Sequence, residues 1–206
     1  MNEQRKTVII TGASRGIGHA TALLFLERGW RIITCARGEA PPEAKTNENW
    51  LAHIPTDLSK SDSVKAFIAE ASQVLGGGPL HGLVNNAGLS PKTPYKERLG
   101  CLNGDLDAWR EVFEINFFAA LKLSRGFASA LHNGHGAIVN ITSILYIPSD
   151  PVFAVYCTVL LFSACITEKE LLNAGVPLST QGPYLAPGLE DLLMDLYVIN
   201  ALGFGD

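Results

Sequence analysis

Thr7-Val8-Ile9-Ile10-Thr11-Gly12-Ala13-Ser14-Arg15-Gly16-Ile17-Gly18 is the stretch on which the reading of this chain turns. It opens as a β-branched run, the composition of a strand buried on both faces. It then passes Gly12 and Gly16 and enters a segment, Ile17 to Arg28, that contains Gly18 and has apolar residues at Ala20, Leu23, Leu24 and Leu26. That spacing predicts a helix, and Gly29 supplies its stop. Strand, glycine turn and helix in this order present free N–H groups to an anion at the helix N-terminus. Gly12 is expected to permit the tight turn, and Gly16 to let the backbone approach a pyrophosphate without a Cβ in the way. Gly18 is expected to allow close helix–strand packing. A glycine-rich turn without a ligand is the competing reading.

Outward from this turn, strand and helix alternate. Arg31–Cys35, Leu51–Pro55, Gly82–Asn85 and Ala137–Thr142 read as strands, and Ser61–Leu75, Leu106–Glu114 and Asn116–Leu131 as helices. Residues 38–50 and 91–104 read as loops. Such alternation calls for an α/β fold, a doubly wound parallel sheet with helices on both faces. The chain has 206 residues, which suits a single domain over 1–206.

Composition excludes several classes. The net charge of −4 leaves no electrostatic footprint for nucleic acid. Cys35, Cys101, Cys157 and Cys165 lack the spacing of a zinc site or a disulfide scaffold, so no metal is expected. The polar start predicts no leader peptide. The most apolar run, Val152 to Ile166, has 15 residues, short of the ~20 that span a bilayer. A cytoplasmic protein with no membrane partner is the expectation. Charge is unevenly placed: residues 1–150 carry 15 Lys and Arg against 14 Asp and Glu, whereas residues 151–206 carry one against six. The chain changes character near position 150.

The glycine turn, Asn85-Asn86-Ala87-Gly88 after the fourth strand, and Ser143 thirteen residues before Tyr156 together resemble the short-chain dehydrogenase/reductase family, in particular members like the 3-oxoacyl-carrier-protein reductases. The resemblance covers residues 6–156 and thins afterwards, so 1–156 is the matched Rossmann core and 157–206 a divergent helix and tail. It implies a one-domain Rossmann fold that binds NAD(H) or NADP(H) and interconverts a small carbonyl or alcohol substrate. It implies cofactor contacts from Gly12, Ser14, Arg15, Gly16, Ile17 and Gly18. It further puts Asp57 and Leu58 beside the adenine and Asn86, Ala87 and Gly88 along the cofactor cleft. Family members commonly pair through helices that here are Asn116–Leu131 and Val152–Asn173, which implies a homodimer or homotetramer.

The nucleotide can be read from the end of the second strand. An acidic residue there holds a ribose 2′-hydroxyl, whereas arginine accommodates a 2′-phosphate. The chain has Ala36-Arg37 at that point, and Arg15 in the glycine turn can add a second guanidinium. Two such groups suit a phosphate dianion. NADP(H) is therefore favoured, with NAD(H) possible.

By the same resemblance Tyr156 is the acid/base and also a cofactor contact, Ser143 stabilises the substrate oxygen, and Asn116, at the start of its helix, holds a water in the proton relay. The family pairs its tyrosine with a lysine four residues on, and Leu160 occupies that position. Lys169 lies nine residues beyond it, roughly 13 Å along a regular helix, and cannot substitute. An unassisted tyrosine ionises at about 10, and three units of lost tuning correspond to about 4 kcal/mol. Further on, Ala186-Pro187-Gly188 looks like a degraded form of the family's Pro-Gly turn, with Pro187 and Gly188 as its cofactor contacts. Pro177, Gly182 and Pro183 interrupt any strand before it. Three readings follow: an NADP(H)-dependent oxidoreductase, a nucleotide-binding pseudoenzyme, or a chain whose residues 144–206 are a foreign continuation, by altered splicing or a frameshift.

Overall fold

The computed structural model of the chain describes residues 5–89 and 105–141. β1 (Thr7–Thr11) leads to α1 (Gly16–Glu27), then β2 (Arg31–Ala36), a 3-10 turn (Pro42–Lys45) and β3 (Trp50–Pro55). α2 (Ser61–Leu75) and β4 (Gly82–Asn85) follow. α3 (Leu106–Phe113), a π-helical turn (Glu114–Phe118), α4 (Ala119–Gly126), α5 (Ala128–Asn133) and β5 (Ala137–Asn140) complete the described elements. The sheet order is β3-β2-β1-β4-β5, and every neighbouring pair is parallel. The winding reverses between β1 and β4. At such a switch point the strand ends diverge and leave a crevice outside their carboxyl ends.

The period of two along the strands explains the two layers. In β1, Val8 and Ile10 pack with Ala22 and Phe25 of α1 and with Trp30 and Trp50. Ile9 between them faces the opposite side, with Phe67 and Val64 of α2, Leu123 of α4, Phe127 and Leu131. Fully buried Phe and Ile side chains of this kind each contribute about 1.5–3 kcal/mol, so both faces of β1 must be covered. Phe67 and Phe127 meet edge to face at 6.0 Å, joining the helices before and after β4.

Three details depart from the sequence reading, the first being that the stretch read as one helix over Asn116–Leu131 is divided at Phe127 into α4 and α5. The 38–50 loop contains the 3-10 turn, and β3 begins at Trp50, whose side chain is buried. Asn116 does not start a helix. It sits inside the π-helical turn that runs α3 into α4 without a linker. Ile115 and Asn116 are both buried, and the extra residue of a π turn is what lets both face inward. Thr142 lies outside the described residues.

At the amino-terminal edge of the sheet, the Nδ1 of His81 accepts the Thr7 N–H at 3.0 Å. Burial, with the positive charges of Lys6 and Arg31 nearby, holds this imidazole below its usual pKa of 6.5. The unfolded chain therefore binds the proton more readily, and the fold loses stability as pH falls below about 6.5. His81→Asn keeps an acceptor near Nδ1 without a titrating group. Thermal unfolding from pH 7.5 to pH 5 is expected to show a steeper loss for the parent than for His81→Asn; parallel profiles would refute it.

Candidate functional site

The crevice is built around one hydroxyl. Thr11 ends β1, and its Oγ1 accepts the N–H groups of Asn86 and Ala87, each at 3.0 Å, while donating to the Val84 carbonyl at 3.4 Å. Asn86 answers through its side chain, whose Nδ2 donates to the carbonyls of Thr11 at 2.9 Å and Gly12 at 3.3 Å. The ends of β1 and β4 are thereby locked at a fixed separation. Asn85 Nδ2 donates to Asn140 Oδ1 at 2.9 Å, which ties β4 to β5 in the same way.

The glycine turn fits into this lock. Gly12 has φ +69, and a Cβ there would come within 2.9 Å of the Ala87 Cα. At Gly18 a Cβ would fall 2.3 Å from the Gly12 carbonyl oxygen and 2.4 Å from Asn86 Nδ2. What Gly18 packs against is thus the turn itself and Asn86. Gly16 has φ +59, and an added Cβ would meet no protein atom within 4 Å; the backbone conformation is what demands glycine there. The turn is held from below by Cys35, whose carbonyl accepts Gly12 N–H at 2.8 Å. Burial pushes the Cys35 thiol up to about 12, which keeps it protonated at neutral pH. α1 begins after Arg15 with no side-chain cap and no acidic residue in its first turn. Its positive end is left for an anion.

A cleft of about 520 Å³ opens over these elements, within the 300–1,000 Å³ range of ligand sites. Gly12, Ser14, Arg15 and Gly16 line one side, and Arg37, Asp57 and Leu58 line the side above β2 and β3. Asn86, Ala87 and Gly88 close it above β4. Ile17 and Gly18 are not on its wall, and neither is Asn116. Asn116 instead clamps the wall from behind: its Oδ1 accepts Leu89 N–H at 2.8 Å and its Nδ2 donates to the Leu89 carbonyl at 3.0 Å. The Asp57 carboxyl is held below the usual carboxylate range by hydrogen bonds from Ser59 and by Lys60. Sequence reasoning missed Ala36, Gly38, Thr56, Leu89 and Ile115 on the wall. Of these only Gly38, beside Arg37, carried a turn signal. Ser143, Tyr156, Leu160, Pro187 and Gly188 lie outside the described residues.

The glycine-lined turn, the uncapped helix end and the two-sided cleft fit a dinucleotide. Gly12, Ser14 and Gly16 on one side and Arg37, Asp57 and Leu58 on the other are the residues that could hold it.

Comparison with known proteins gives the same frame. The family model described as short chain dehydrogenase matches residues 6–159. Protein FixR of Bradyrhizobium diazoefficiens is 42% identical over 188 residues, which are 89% of this chain and 66% of that protein. An NADPH-dependent 1-acyldihydroxyacetone phosphate reductase of Schizosaccharomyces pombe is 31% identical over 148 residues, 71% of this chain and 47% of that one. The chain thus spans about half to two thirds of the length of these curated relatives. A crystal structure of a short-chain oxidoreductase from Brucella ovis, holding a partially ordered NAD, superposes with a TM-score of 0.76 at 33% identity. That match covers 98% of this chain and 94% of the other.

Proposed function

The chain belongs to the short-chain dehydrogenase family, and on that premise we propose that it is an NADP(H)-binding oxidoreductase acting on a small carbonyl or alcohol. The observation that carries the nucleotide choice is Arg37. It follows β2 directly, is exposed, and lines the same cleft as Arg15. Among the described residues on that cleft the one acid is Asp57, and its carboxylate is engaged by Ser59. Among the described residues that line the cleft at the end of β2, Ala36, Arg37 and Gly38, none is a carboxylate to take a ribose diol, whereas two guanidinium groups are available to a 2′-phosphate.

The bound nucleotide would supply the hydride. This chain's own residues hold it and manage the proton. Gly12, Ser14, Arg15, Gly16, Asn86, Ala87 and Gly88 form the walls of the nucleotide site, with Ile17 and Gly18 supporting the turn from behind. Asn116 acts through Leu89, fixing the wall next to the reacting end rather than reaching into it. By the family pattern Ser143 and Tyr156 hold the substrate oxygen and its proton, and Pro187 and Gly188 add cofactor contacts. Carbonyl reduction needs a proton donor for the forming alkoxide. A neutral tyrosine can donate, so reduction suffers less than oxidation from the absence of a neighbouring cation at Leu160.

Leu160 supports a second reading, nucleotide binding with little turnover. Both readings share the site and differ only in the chemical step.

Self-association is part of the proposal. Leu106 is 72% exposed, and Phe113 and Phe118 are exposed beside it along α3 and the π-helical turn. A second copy of the chain is the partner assigned to this apolar strip.

Three outcomes are expected. In fluorescence titration the parent binds NADPH more tightly than NADH, and Arg37→Asp reverses the order; equal affinities in the parent would remove the argument for NADP(H). With NADPH and a panel of ketones and oxoacyl thioesters, the parent turns over slowly and Leu160→Lys raises the rate by at least about tenfold. Robust activity in the parent would sink the pseudoenzyme reading. Light scattering at micromolar concentration shows a dimer or tetramer, which the pair Leu106→Glu and Phe118→Glu shifts to monomer; a monomeric parent would overturn the assigned partner.

A further inference from the structure

β3 carries an irregularity with a consequence for the nucleotide site. β2 and β3 pair Ile32 with Trp50 but Ile33 with Ala52, so one extra residue is inserted on β3 at Leu51. Trp50 and His53 are three residues apart and would point to opposite faces of a regular strand. The insertion puts them on the same side, and both reach one hydroxyl. Trp50 Nε1 donates to Thr34 Oγ1 at 2.8 Å, and Thr34 Oγ1 lies 2.9 Å from His53 Nδ1. The other ring nitrogen of His53, Nε2, is 3.1 Å from the carbonyl oxygen of Gly38.

These contacts order themselves in one direction. A backbone carbonyl only accepts, so Nε2 carries the hydrogen and donates to Gly38. Nδ1 is then the acceptor, and the Thr34 hydroxyl donates to it at 2.9 Å, the nearer of its two acceptors, the other being the Ala52 carbonyl at 3.4 Å. The Thr34 oxygen in turn accepts from the indole of Trp50, which can only donate. Thr34 is fully buried and Trp50 is 5% exposed, so the inner end of this relay cannot turn to water.

Its outer end shapes the chain. His53 pairs with Thr34 in the sheet, yet it holds the carbonyl of Gly38, four residues later. A strand continuing straight from Thr34 would carry Gly38 roughly 13 Å away. The chain accordingly bends after Ala36, at Arg37 and Gly38. Gly38 is in turn set against the glycine turn: a Cβ there would stand 3.6 Å from both the Cβ and the Oγ of Ser14. The bend that presents Arg37 and the turn that presents Arg15 meet at this contact.

We propose that His53 is a positioning residue for nucleotide specificity: by holding the Gly38 carbonyl it fixes the bend that aims Arg37, together with Arg15, at a 2′-phosphate. This rests on the NADP(H) reading given above. His53 touches no nucleotide. Its effect falls on the 2′-phosphate and leaves the part of the site common to both nucleotides unchanged.

The two ring nitrogens can be tested separately. His53→Asn places a group near Nδ1 and loses the donor to Gly38, whereas His53→Gln can still reach Gly38 with an N–H. Kd values for NADPH and NADH are measured by fluorescence titration for the parent and both variants, with thermal unfolding as the check on folding. For His53→Asn the NADPH Kd is expected to rise about tenfold while the NADH Kd moves less than about twofold, and His53→Gln restores most of the preference. A folded His53→Asn protein that keeps the parent's NADPH-to-NADH ratio overturns the assignment and leaves the NADP(H) reading standing. Equal weakening of both nucleotides also overturns it, because that is the signature of a merely structural histidine. A parent that binds both nucleotides equally overturns the NADP(H) reading itself, and this proposal falls with it.

Discussion

The Thr11 hydroxyl is the constraint from which the rest of the site is built. A crevice at a sheet's switch point is only as well defined as the separation of its two strand ends, and here that separation is set by hydrogen bonds from one side chain. Thr11 Oγ1 accepts two consecutive amides, those of Asn86 and Ala87, and donates to Val84. It is almost wholly buried, where an unmade hydrogen bond costs about 1–3 kcal/mol. Valine has the same shape but would leave both amides without an acceptor. The glycine turn then follows by exclusion: with Asn86 Nδ2 folded over the carbonyls of Thr11 and Gly12, no side chain fits at Gly18. The floor of the cleft is thus dictated by packing among backbone groups before any nucleotide is considered.

That explains what was legible in the sequence. A turn with this many backbone constraints admits few residues, so Gly12 and Gly18 could be read from their spacing, while Asn86 was implied by the family resemblance alone. The strands were legible for a similar reason. Burial on both faces leaves β1 as an unbroken apolar run, and five parallel strands follow from its alternation with helices. Asn116 was misplaced because the signal for a helix start and the signal for an inward-facing amide are the same residue type. Only the π-helical turn, which shifts the inward face by one residue, distinguishes them. Leu89, Thr56 and Ile115 reached the cleft wall through tertiary placement, which no local pattern encodes. Likewise, the residue inserted at Leu51 changes which side of β3 faces Thr34, and it leaves no mark in the hydrophobic periodicity of so short a strand.

The two kinds of polar group around the cleft divide the work. Thr11, Asn86 and Asn116 have their side chains committed to backbone partners, and they determine shape. Arg15 and Arg37 are exposed at the rim, and they determine charge. Exposed arginines are individually weak contributors to stability, so their location is free to be chosen for binding. Their usefulness to an anion depends on how firmly their backbones are held, since a long side chain on a mobile loop loses much of its gain to ordering. The turn bearing Arg15 is held by Cys35 and Asn86, and the bend bearing Arg37 meets His53 through the Gly38 carbonyl.

On the proposed reading, nucleotide recognition draws mostly on the described crevice, whereas the chemical step draws on residues that follow β5. The described crevice runs from the glycine turn through Leu89, and Asn116 supports it from the π-helical turn that precedes α4. The family's chemical step depends instead on Ser143, Tyr156 and the position of Leu160. A cation beside tyrosine acts on the pKa of one phenol, and removing it costs about 4 kcal/mol in the base form if three units of tuning are lost. None of that energy is shared with the diphosphate or adenosine contacts. On that reading, leucine at position 160 would slow proton transfer, most in the oxidative direction, while the hydrogen-bonded floor of the cleft rests on Thr11 and Asn86. A chain with this division can retain nucleotide recognition long after it has lost efficient turnover, which is why affinity and rate must be measured as independent properties of the protein.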